Sequence, residues 1–225
     1  MNTRRARIIL LGAVLGFVCI PTLNVTHAQS GCPGGEDCRA YAITRLSDNN
    51  YTGVSGRIEW ADPTIRDGGF SAQVLWIGGA EGTDYIEVGW RKPTGGAVQF
   101  YWGYVDSSGN WSGAKWQGTI TTYETDYEIQ HKTSDNKWHV YIAGSERGSA
   151  QLGVSSGSID AGGEVTDFSS TEHNGMGRSG FHNLAYMEDH TGFWKWVGWD
   201  QQFQDYSYRV VPLGDNTFQT EGYNP

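Results

Sequence analysis

KWHVYIA, residues 137–143, is the clearest strand pattern in the sequence. Trp138, Val140 and Ile142 alternate with more polar neighbours, which is the period-two arrangement of a β-strand with one apolar face. The pattern predicts that these three side chains are buried together and that His139, on the other face, is more exposed. Ser-Asp-Asn just before this stretch has the chemistry of a tight turn.

Similar runs recur on both sides of this stretch, separated by turn signals. The predicted strands are VSGRIEW (54–60), SAQVLWI (71–77), YIEVGW (85–90), AVQFYWGYV (97–105), SGAKWQGTI (112–120), YEIQHK (127–132), GGEVTDF (162–168) and FHNLAYM (181–187). No helical period of useful length separates them, and the stretch 194–211 either adds strands or wraps a sheet edge. The 32 Gly, 10 Trp and 12 Tyr in 225 residues suit this interpretation. The sequence therefore predicts an all-β fold, specifically an antiparallel β-sandwich.

The N-terminus has the order of a secretory signal peptide. Three arginines precede the apolar run IILLGAVLGFVCI, and the small-residue stretch Thr26-His27-Ala28 follows as a cleavage site. Residues 1–28 are therefore predicted to be removed, and the apolar run is too short to span a membrane comfortably. We expect a secreted protein, extracellular or periplasmic, with no membrane association after cleavage.

The rest of the chain is acidic and is predicted to hold one domain. Loss of the three arginines lowers the formal net charge from −9 to −12, which argues against a nucleic-acid partner. Residues 29–50 are interpreted as a short irregular leader, and residues 51–225 as the domain, which we expect to be a monomer. Export favours a disulfide between Cys32 and Cys38, with two free thiols as the alternative.

Two glutamates beside glycines are the candidate catalytic groups. Glu87 lies in YIEVGW and Glu164 in AGGEVTDF, and a glycine beside a carboxylate lets a ligand approach the backbone closely. An ionised carboxylate can remove a proton from water, while a second, protonated one donates to the oxygen where charge develops. By pattern alone, other acids fit nearly as well: Glu59, Glu81, Glu128 and Asp160.

The sequence indicates neither metal nor nucleotide chemistry. It contains no phosphate-binding loop of the G-x-x-x-x-G-K-[ST] type. The five histidines after residue 28 have no H-x-x-x-H spacing and fall on predicted strands and loops. We therefore expect no metal and no cofactor.

Several of these segments, taken in order, resemble the motifs of the neprosin family of glutamic peptidases over residues 51–187. The family's I-E-A-G-W motif, which holds its first catalytic glutamate, is similar to YIEVGW, and its W-G-G-E-V motif with the second is similar to AGGEV (161–165). Further matching segments are GVSGRIEWADP (53–63), SAQVLWIGG (71–79), FYWGYVD (100–106) and HNGMGRSGFHNLAY (173–186). Each match is weak alone, but six in the same order are fairly specific.

The resemblance implies a β-sandwich whose concave sheet binds peptide, with Glu87 and Glu164 as the catalytic dyad. The more distant fungal glutamic peptidases carry Gln at the position of Glu87. The resemblance therefore implies that Glu164 is the general base on the attacking water and that protonated Glu87 stabilises the oxyanion. It implies a secreted endopeptidase that acts on peptides or proteins at acidic pH, without a metal or cofactor. The plant members cleave after proline, which makes this specificity one to test.

Residues near the dyad are candidates for binding substrate. Gln73 is a polar neighbour, and Gly163 leaves the backbone beside the second glutamate open. Tyr101 and Trp102 lie on opposite faces of one strand, so one is expected in the cleft and the other in the core. Trp90 is a further candidate, although it shares a strand face with apolar residues and the core is favoured for it.

The chain also departs from the plant members of the family. Only residues 29–50 precede the predicted domain, where those members carry a large N-terminal region, and residues 188–225 lie outside the resemblance. Three other functions fit the sequence: a non-catalytic carbohydrate-binding or adhesive β-sandwich, a glycosidase, which also uses two carboxylates, and an inactive relative of the peptidases. Activity on denatured protein, compared with activity on glucans, would distinguish the two enzymes.

Overall fold

A computed structural model of the chain describes residues 39–66, 68–78, 84–112, 115–166, 174–196, 198–205 and 207–222. The described residues form strands and no helix, which confirms the predicted all-β class. The fourteen strands are β1 (Arg39–Glu59), β2 (Phe70–Gly78), β3 (Tyr85–Pro93), β4 (Gln99–Val105), β5 (Lys115–Thr119), β6 (Glu124–Lys132), β7 (Lys137–Ile142), β8 (Ser145–Ala150), β9 (Gly157–Thr166), β10 (Ser179–Glu188), β11 (Phe193–Lys195), β12 (Gln201–Gln204), β13 (Tyr208–Gly214) and β14 (Thr217–Gly222). Within these ranges, no helix is long and apolar enough to cross a membrane.

The long strand β1 belongs to two antiparallel sheets and joins them. Its first half, residues 39–46, pairs with β9 on one side, and residues 42–45 pair with β12 on the other. Its second half, residues 51–59, lies between β10 and β6. The first sheet has the strand order β12-β1-β9-β2-β3-β4-β5, and the second has β13-β14-β10-β1-β6-β7-β8, with β11 beside β10. The exposed residues 47–50 mark the change from one sheet to the other.

The start of β1 corrects the predicted domain boundary. Residues 39–50, assigned from the sequence to an irregular leader, are strand, and Ala42 within them is completely buried. The stretch AYAITRL carries small and β-branched side chains that fit a central strand covered on both faces, but its alanines give no strong apolar alternation. The predicted signal peptide and the Cys32–Cys38 pair lie outside the described residues.

The hydrophobic core lies between the two sheets. Trp138, Val140 and Ile142 of β7 are almost completely buried, as their alternation predicts. They belong to one cluster with Ile86 and Val88 of β3, which is in the other sheet. The predicted sandwich is thus confirmed by side chains of both sheets packing against each other.

His139 is less exposed than its alternating position predicts. Only 6% of its surface is exposed. Its Nδ1 lies 2.9 Å from a carboxylate oxygen of Glu146, and its Nε2 lies 3.0 Å from one of Asp135. These two carboxylates cover the ring on the outer face of the second sheet, so a polar residue is buried there with both of its nitrogens satisfied.

The alternation in β3 gives the first sheet two different faces. Ile86 and Val88 point into the core, so Glu87 and Arg91 point to the opposite face. We call this opposite side of the first sheet the cleft face.

Candidate active site

A cavity of about 250 Å³ opens on the cleft face. Both predicted catalytic glutamates line it, together with two arginines and several aromatic side chains. The lining consists of Arg39, Gly68, Phe70, Tyr85, Glu87, Arg91, Tyr101, Trp111, Glu164 and Thr166.

Strand pairing places the two glutamates on one face of the sheet but not side by side. Glu164 on β9 stands opposite Ala72 on β2, and Ala72 stands opposite Arg91 on β3. Arg91 is therefore level with Glu164 but two strands away, and Glu87 lies four residues before Arg91 on β3. The two glutamates are thus separated both across the sheet and along the strand direction. Their side chains nevertheless line one cavity.

A glycine on β4 makes room for one wall of the cavity. Gly103 pairs directly with Glu87, and the indole of Trp111 lies against its backbone. A Cβ atom added at Gly103 would come within 2.3 Å of the Trp111 ring, so any larger residue would displace the indole. Trp111 is 42% exposed and is available to contact a ligand in the cavity.

Glu87 is a buried carboxyl group whose described hydrogen-bond donors are both neutral. Trp76 donates its indole N–H to Oε2 at 2.6 Å, and Tyr101 donates its hydroxyl to Oε1 at 2.9 Å. Burial, followed by the negative charge of Glu164, raises the pKa of Glu87 to about 7, against the opposing effects of the two donors and of Arg91. Glu87 therefore keeps its proton at pH values well below neutrality.

Glu164 is equally buried but lies next to a cation. Arg39, at the start of β1, approaches Oε1 with Nη1 at 2.7 Å. Burial is the largest influence and leaves the pKa of Glu164 raised. The charge and hydrogen bond of Arg39, the charge of Arg91 and a hydrogen bond from Tyr41 oppose this rise. The ion pair thus favours the ionised form of this carboxyl group over that of its neighbour.

The two carboxyl groups therefore have different electrostatic environments within one cavity. One has neutral donors and keeps its proton, and the other has a guanidinium partner that stabilises its charge. Paired carboxyl groups whose environments separate their pKa values are suited to act as an acid and a base in one reaction. The arrangement is able to activate water and to donate a hydrogen bond to a polarised oxygen.

The structure separates the two aromatic candidates on β4. Tyr101 lines the cavity and bonds Glu87. Trp102 lies on the opposite face, in the core between the sheets, and is corrected from a binding candidate to a core residue.

Gln73 and Gly163 are also corrected from binding candidates to core-facing positions, and Trp90 lies in the core, as its strand face favoured. Gln73 on β2 pairs with Trp90 on β3 and with Gly163 on β9. The side chains of Gln73 and Trp90 point away from the cleft face, and a Cβ atom at Gly163 would point toward Gln73. The Gln73 Oε1 accepts a hydrogen bond from Thr220 at 2.7 Å, and the Trp90 indole donates to the Glu59 carbonyl at 2.9 Å. The error has one cause, since residues one position away from a cleft residue point to the other side of the sheet.

Sequence reasoning missed several residues that shape the cavity. Tyr85 and Arg91 lie an even number of residues from Glu87 in YIEVGWRKP and so share its strand face. This alternation in the sequence is sufficient to find them. The others depend on strand register or on the structure of loops and of the presumed leader: Arg39, Phe70, Trp76, Trp111 and Thr166, together with Tyr41, which bonds Glu164.

One group of potential metal ligands occurs among the described residues. Donor atoms of Glu59, Glu124 and His182 lie within 4.8 Å of one another. Existing hydrogen bonds engage them, with His182 Nε2 3.0 Å from Glu59 and Arg57 3.0 Å from Glu124. None of the three lines the cavity with the two buried glutamates, so this group is separate from the candidate active site.

Comparisons with known proteins identify similar structures but no similar sequences. No family model matches the chain, and no curated protein matches it in sequence. The chain resembles scytalido-glutamic peptidase bound to a peptide-based transition-state analogue, with a TM-score of 0.54 and 14% identity over 84% of this chain and 99% of that one. It also resembles SCP-B, a member of the eqolisin family of peptidases in complex with the tripeptide Ala-Ile-His, with a TM-score of 0.51 and 13% identity over 84% and 99% of the chains. At such low identity, this similarity shows that the chain has the fold of the glutamic peptidases.

Proposed function

We propose that the protein is a glutamic endopeptidase that hydrolyses peptide bonds at acidic pH with Glu87 and Glu164. The observation that carries the proposal is the unequal pair of buried carboxyl groups in one cavity. Glu87 keeps its proton between Trp76 and Tyr101, whereas the charge of Glu164 is stabilised by Arg39. The fold shared with two glutamic peptidases supports the same reaction class.

In the proposed reaction, a water molecule lies between Glu164 and the carbonyl carbon of the peptide. Glu164 takes a proton from the water as its oxygen attacks the carbon. Glu87 donates a hydrogen bond to the carbonyl oxygen and stabilises the negative charge that develops there. When the carbon–nitrogen bond breaks, Glu164 returns the proton to the departing nitrogen, so that both carboxyl groups regain their starting states.

The proposed roles imply a pH range for activity. Glu164 must be ionised and Glu87 must be protonated, so activity requires a pH between the two pKa values. Because the pKa of Glu87 is raised to about 7, activity should fall as the pH rises through neutrality. Ionisation of Glu87 would remove the donor and place two negative charges in one cavity.

Hydrolysis of an acid-denatured protein across pH 3 to pH 8, followed by mass spectrometry of the products, tests the proposal. Glu164→Gln should lose on the order of 10²–10⁴-fold in rate, because an amide cannot act as the base. Glu87→Gln should lose less and stay active at higher pH, since the amide still donates a hydrogen bond, and Glu87→Ala should be worse than Glu87→Gln. Wild-type turnover by Glu164→Gln would refute the dyad.

Finer assignments belong to the same proposal. We propose that the protein is a neprosin-type glutamic peptidase, secreted after removal of residues 1–28, with a Cys32–Cys38 disulfide. N-terminal sequencing of the exported protein and mass analysis with and without a reductant test the processing and the disulfide. The products of the hydrolysis experiment show directly whether cleavage follows proline.

A carbohydrate-binding function is the second candidate, and one observation favours it. The exposed indole of Trp111 lies 6.3 Å from the ring of Tyr85 at the cavity, which is a surface on which a sugar ring could stack. Binding or hydrolysis of β-glucans that survives Glu87→Ala and Glu164→Gln, without any cleavage of protein, would favour this candidate over the peptidase.

A further inference from the structure

The guanidinium of Arg91 is a half-buried cation in the cavity. Its Cζ lies 3.6 Å from the centre of the Phe70 ring and 6.0 Å from that of Tyr101. Its Nε is shielded from solvent and has no hydrogen-bond partner in the described part of the chain. The aromatic face holds the guanidinium in place through a cation–π contact but does not satisfy its N–H donors.

Other arginines of the first sheet have carboxylate partners. Arg39 pairs with Glu164 at 2.7 Å, and Arg45 pairs with Asp160 at 2.6 Å. Arg91 makes no such ion pair with any described residue. A planar guanidinium that is partly removed from water and has no carboxylate in direct contact gains most from one, because a carboxylate can accept two parallel hydrogen bonds.

The charges that line the cavity do not balance when Glu87 holds its proton. Arg39 and Arg91 contribute two positive charges, and Glu164 contributes one negative charge. The lining therefore has a surplus of one positive charge on a chain with a formal net charge of −9. Thr166 adds a hydroxyl group that is buried beside the cavity without a partner among the described residues.

We propose that Arg91 forms a subsite for a carboxylate of the bound peptide, so that the cleft selects peptides with an acidic group near the bond to be cut. The inference rests on the proposed function, because it takes a peptide as the ligand. The carboxylate comes either from an Asp or Glu side chain or from a free C-terminus, and both present the same two oxygens to the guanidinium. Arg91 thereby determines specificity, and the dyad carries the chemistry.

A binding experiment tests the subsite without relying on hydrolysis. The background is Glu87→Gln, which keeps that position uncharged, and mass spectrometry after each titration checks that the peptide is still intact. The readout is tryptophan fluorescence at 4 °C and pH 5.5, since Trp76 and Trp111 lie at the cavity. The probes are the blocked peptide acetyl-Ala-Ala-Glu-Ala-Ala-amide, its Gln analogue, and acetyl-pentaalanine with a free or an amidated C-terminus. The Glu peptide or the free-acid peptide should bind about tenfold more tightly than its neutral analogue, the range of a hydrogen bond between charged groups at a partly exposed site.

Two further substitutions decide the role of Arg91. Arg91→Gln should remove the preference for the acidic peptide and leave binding of the neutral one within about twofold. Arg147→Gln removes the same charge at an exposed position of β8 and should keep the preference. If Arg91→Gln weakens binding of the acidic and the neutral peptide equally, the proposal is overturned and Arg91 has a purely structural or electrostatic role. The proposal is also overturned if the Glu87→Gln background shows no preference for the acidic peptide.

The source of the carboxylate follows from the two peptide pairs. A preference confined to the Glu peptide indicates a side-chain subsite, and one confined to the free acid indicates recognition of a C-terminus. If the wild-type protein cleaves no peptide while the Arg91-dependent preference persists, the proposed catalysis fails and the carboxylate subsite stands. If cleavage occurs without any preference, the subsite fails and the peptidase stands.

Discussion

Replacing Glu87 by Gln should change how the stability of the fold depends on pH. The pKa of Glu87 rises from an ordinary 4.5 to about 7, chiefly because the group is buried. Below pH 4.5 the group is protonated in both the folded and the unfolded protein, and its burial carries no ionisation penalty. Between pH 4.5 and pH 7 the unfolded chain releases the proton while the folded chain keeps it, so the free energy of unfolding falls as the pH rises.

The size of this effect follows from the pKa difference. Each pKa unit corresponds to about 1.4 kcal/mol, so the wild-type protein should lose about 3 kcal/mol of stability between pH 4.5 and pH 7.5 through Glu87 alone. Gln has nearly the same shape and stays neutral. Its Oε1 can accept the Trp76 N–H, and its amide N–H can donate to the Tyr101 hydroxyl, whose proton rotates away. The variant should therefore fold normally without the Glu87 contribution to the pH dependence.

Urea denaturation followed by tryptophan fluorescence at pH 4.5, 5.5, 6.5 and 7.5 measures both proteins. The difference in unfolding free energy, wild type minus Glu87→Gln, should become about 3 kcal/mol less favourable to the wild type over this range. Arg147→Gln is a suitable control, because a guanidinium does not titrate in this range. A difference between wild type and Glu87→Gln that is constant with pH would refute the assignment of a raised pKa to Glu87, and with it the proposed acid.

Three further substitutions test other parts of the site and the core. Arg39→Met removes the ion pair with Glu164 and should raise the pKa of that carboxyl group. The acidic limb of the pH profile of kcat/KM should therefore move to higher pH, and a limb that does not move would contradict the role of the ion pair. Gly103→Ala should displace Trp111, raise KM severalfold and destabilise the fold by about 1–3 kcal/mol, as steady-state kinetics and urea denaturation would show. Val140→Ala, in the core between the sheets, should cost about 2 kcal/mol of unfolding free energy with kcat unchanged.

The strands with strong apolar alternation were predictable from the sequence, and those without it were not. KWHVYIA and YIEVGW have large side chains at every second position, and both are strands with the predicted buried face. The stretch SERGSA (145–150) forms β8 with small and polar residues. It pairs with β7, whose own side chains Trp138, Val140 and Ile142 supply the buried apolar face. Its strand conformation comes from backbone hydrogen bonds to β7, and these leave no alternation of apolar residues in the sequence.

The choice of cleft residues failed for a different reason. Glu87 and Glu164 lie on the cleft face at one cavity, and the motifs that contain them are local in the chain. Which neighbours share that face depends on strand register, and a shift by one residue reverses every side chain. Gln73 and Trp90 are close to the dyad in sequence but opposite to it in direction. Counting by twos from Glu87 would have selected Tyr85 and Arg91 instead.

The difference between the two glutamates depends on the segment that the sequence led us to assign to a leader. Arg39 and Tyr41 reach Glu164 because the first half of β1 pairs with β9, directly opposite it. Without that strand, Glu164 would be a buried carboxyl group without a cationic partner on that side, and burial would raise its pKa toward that of its neighbour. Two carboxyl groups in equal environments would share one proton, and neither would be fixed as the acid or as the base. Strand β1 therefore joins the two sheets and also gives the candidate base Glu164 an electrostatic environment different from that of the candidate acid Glu87.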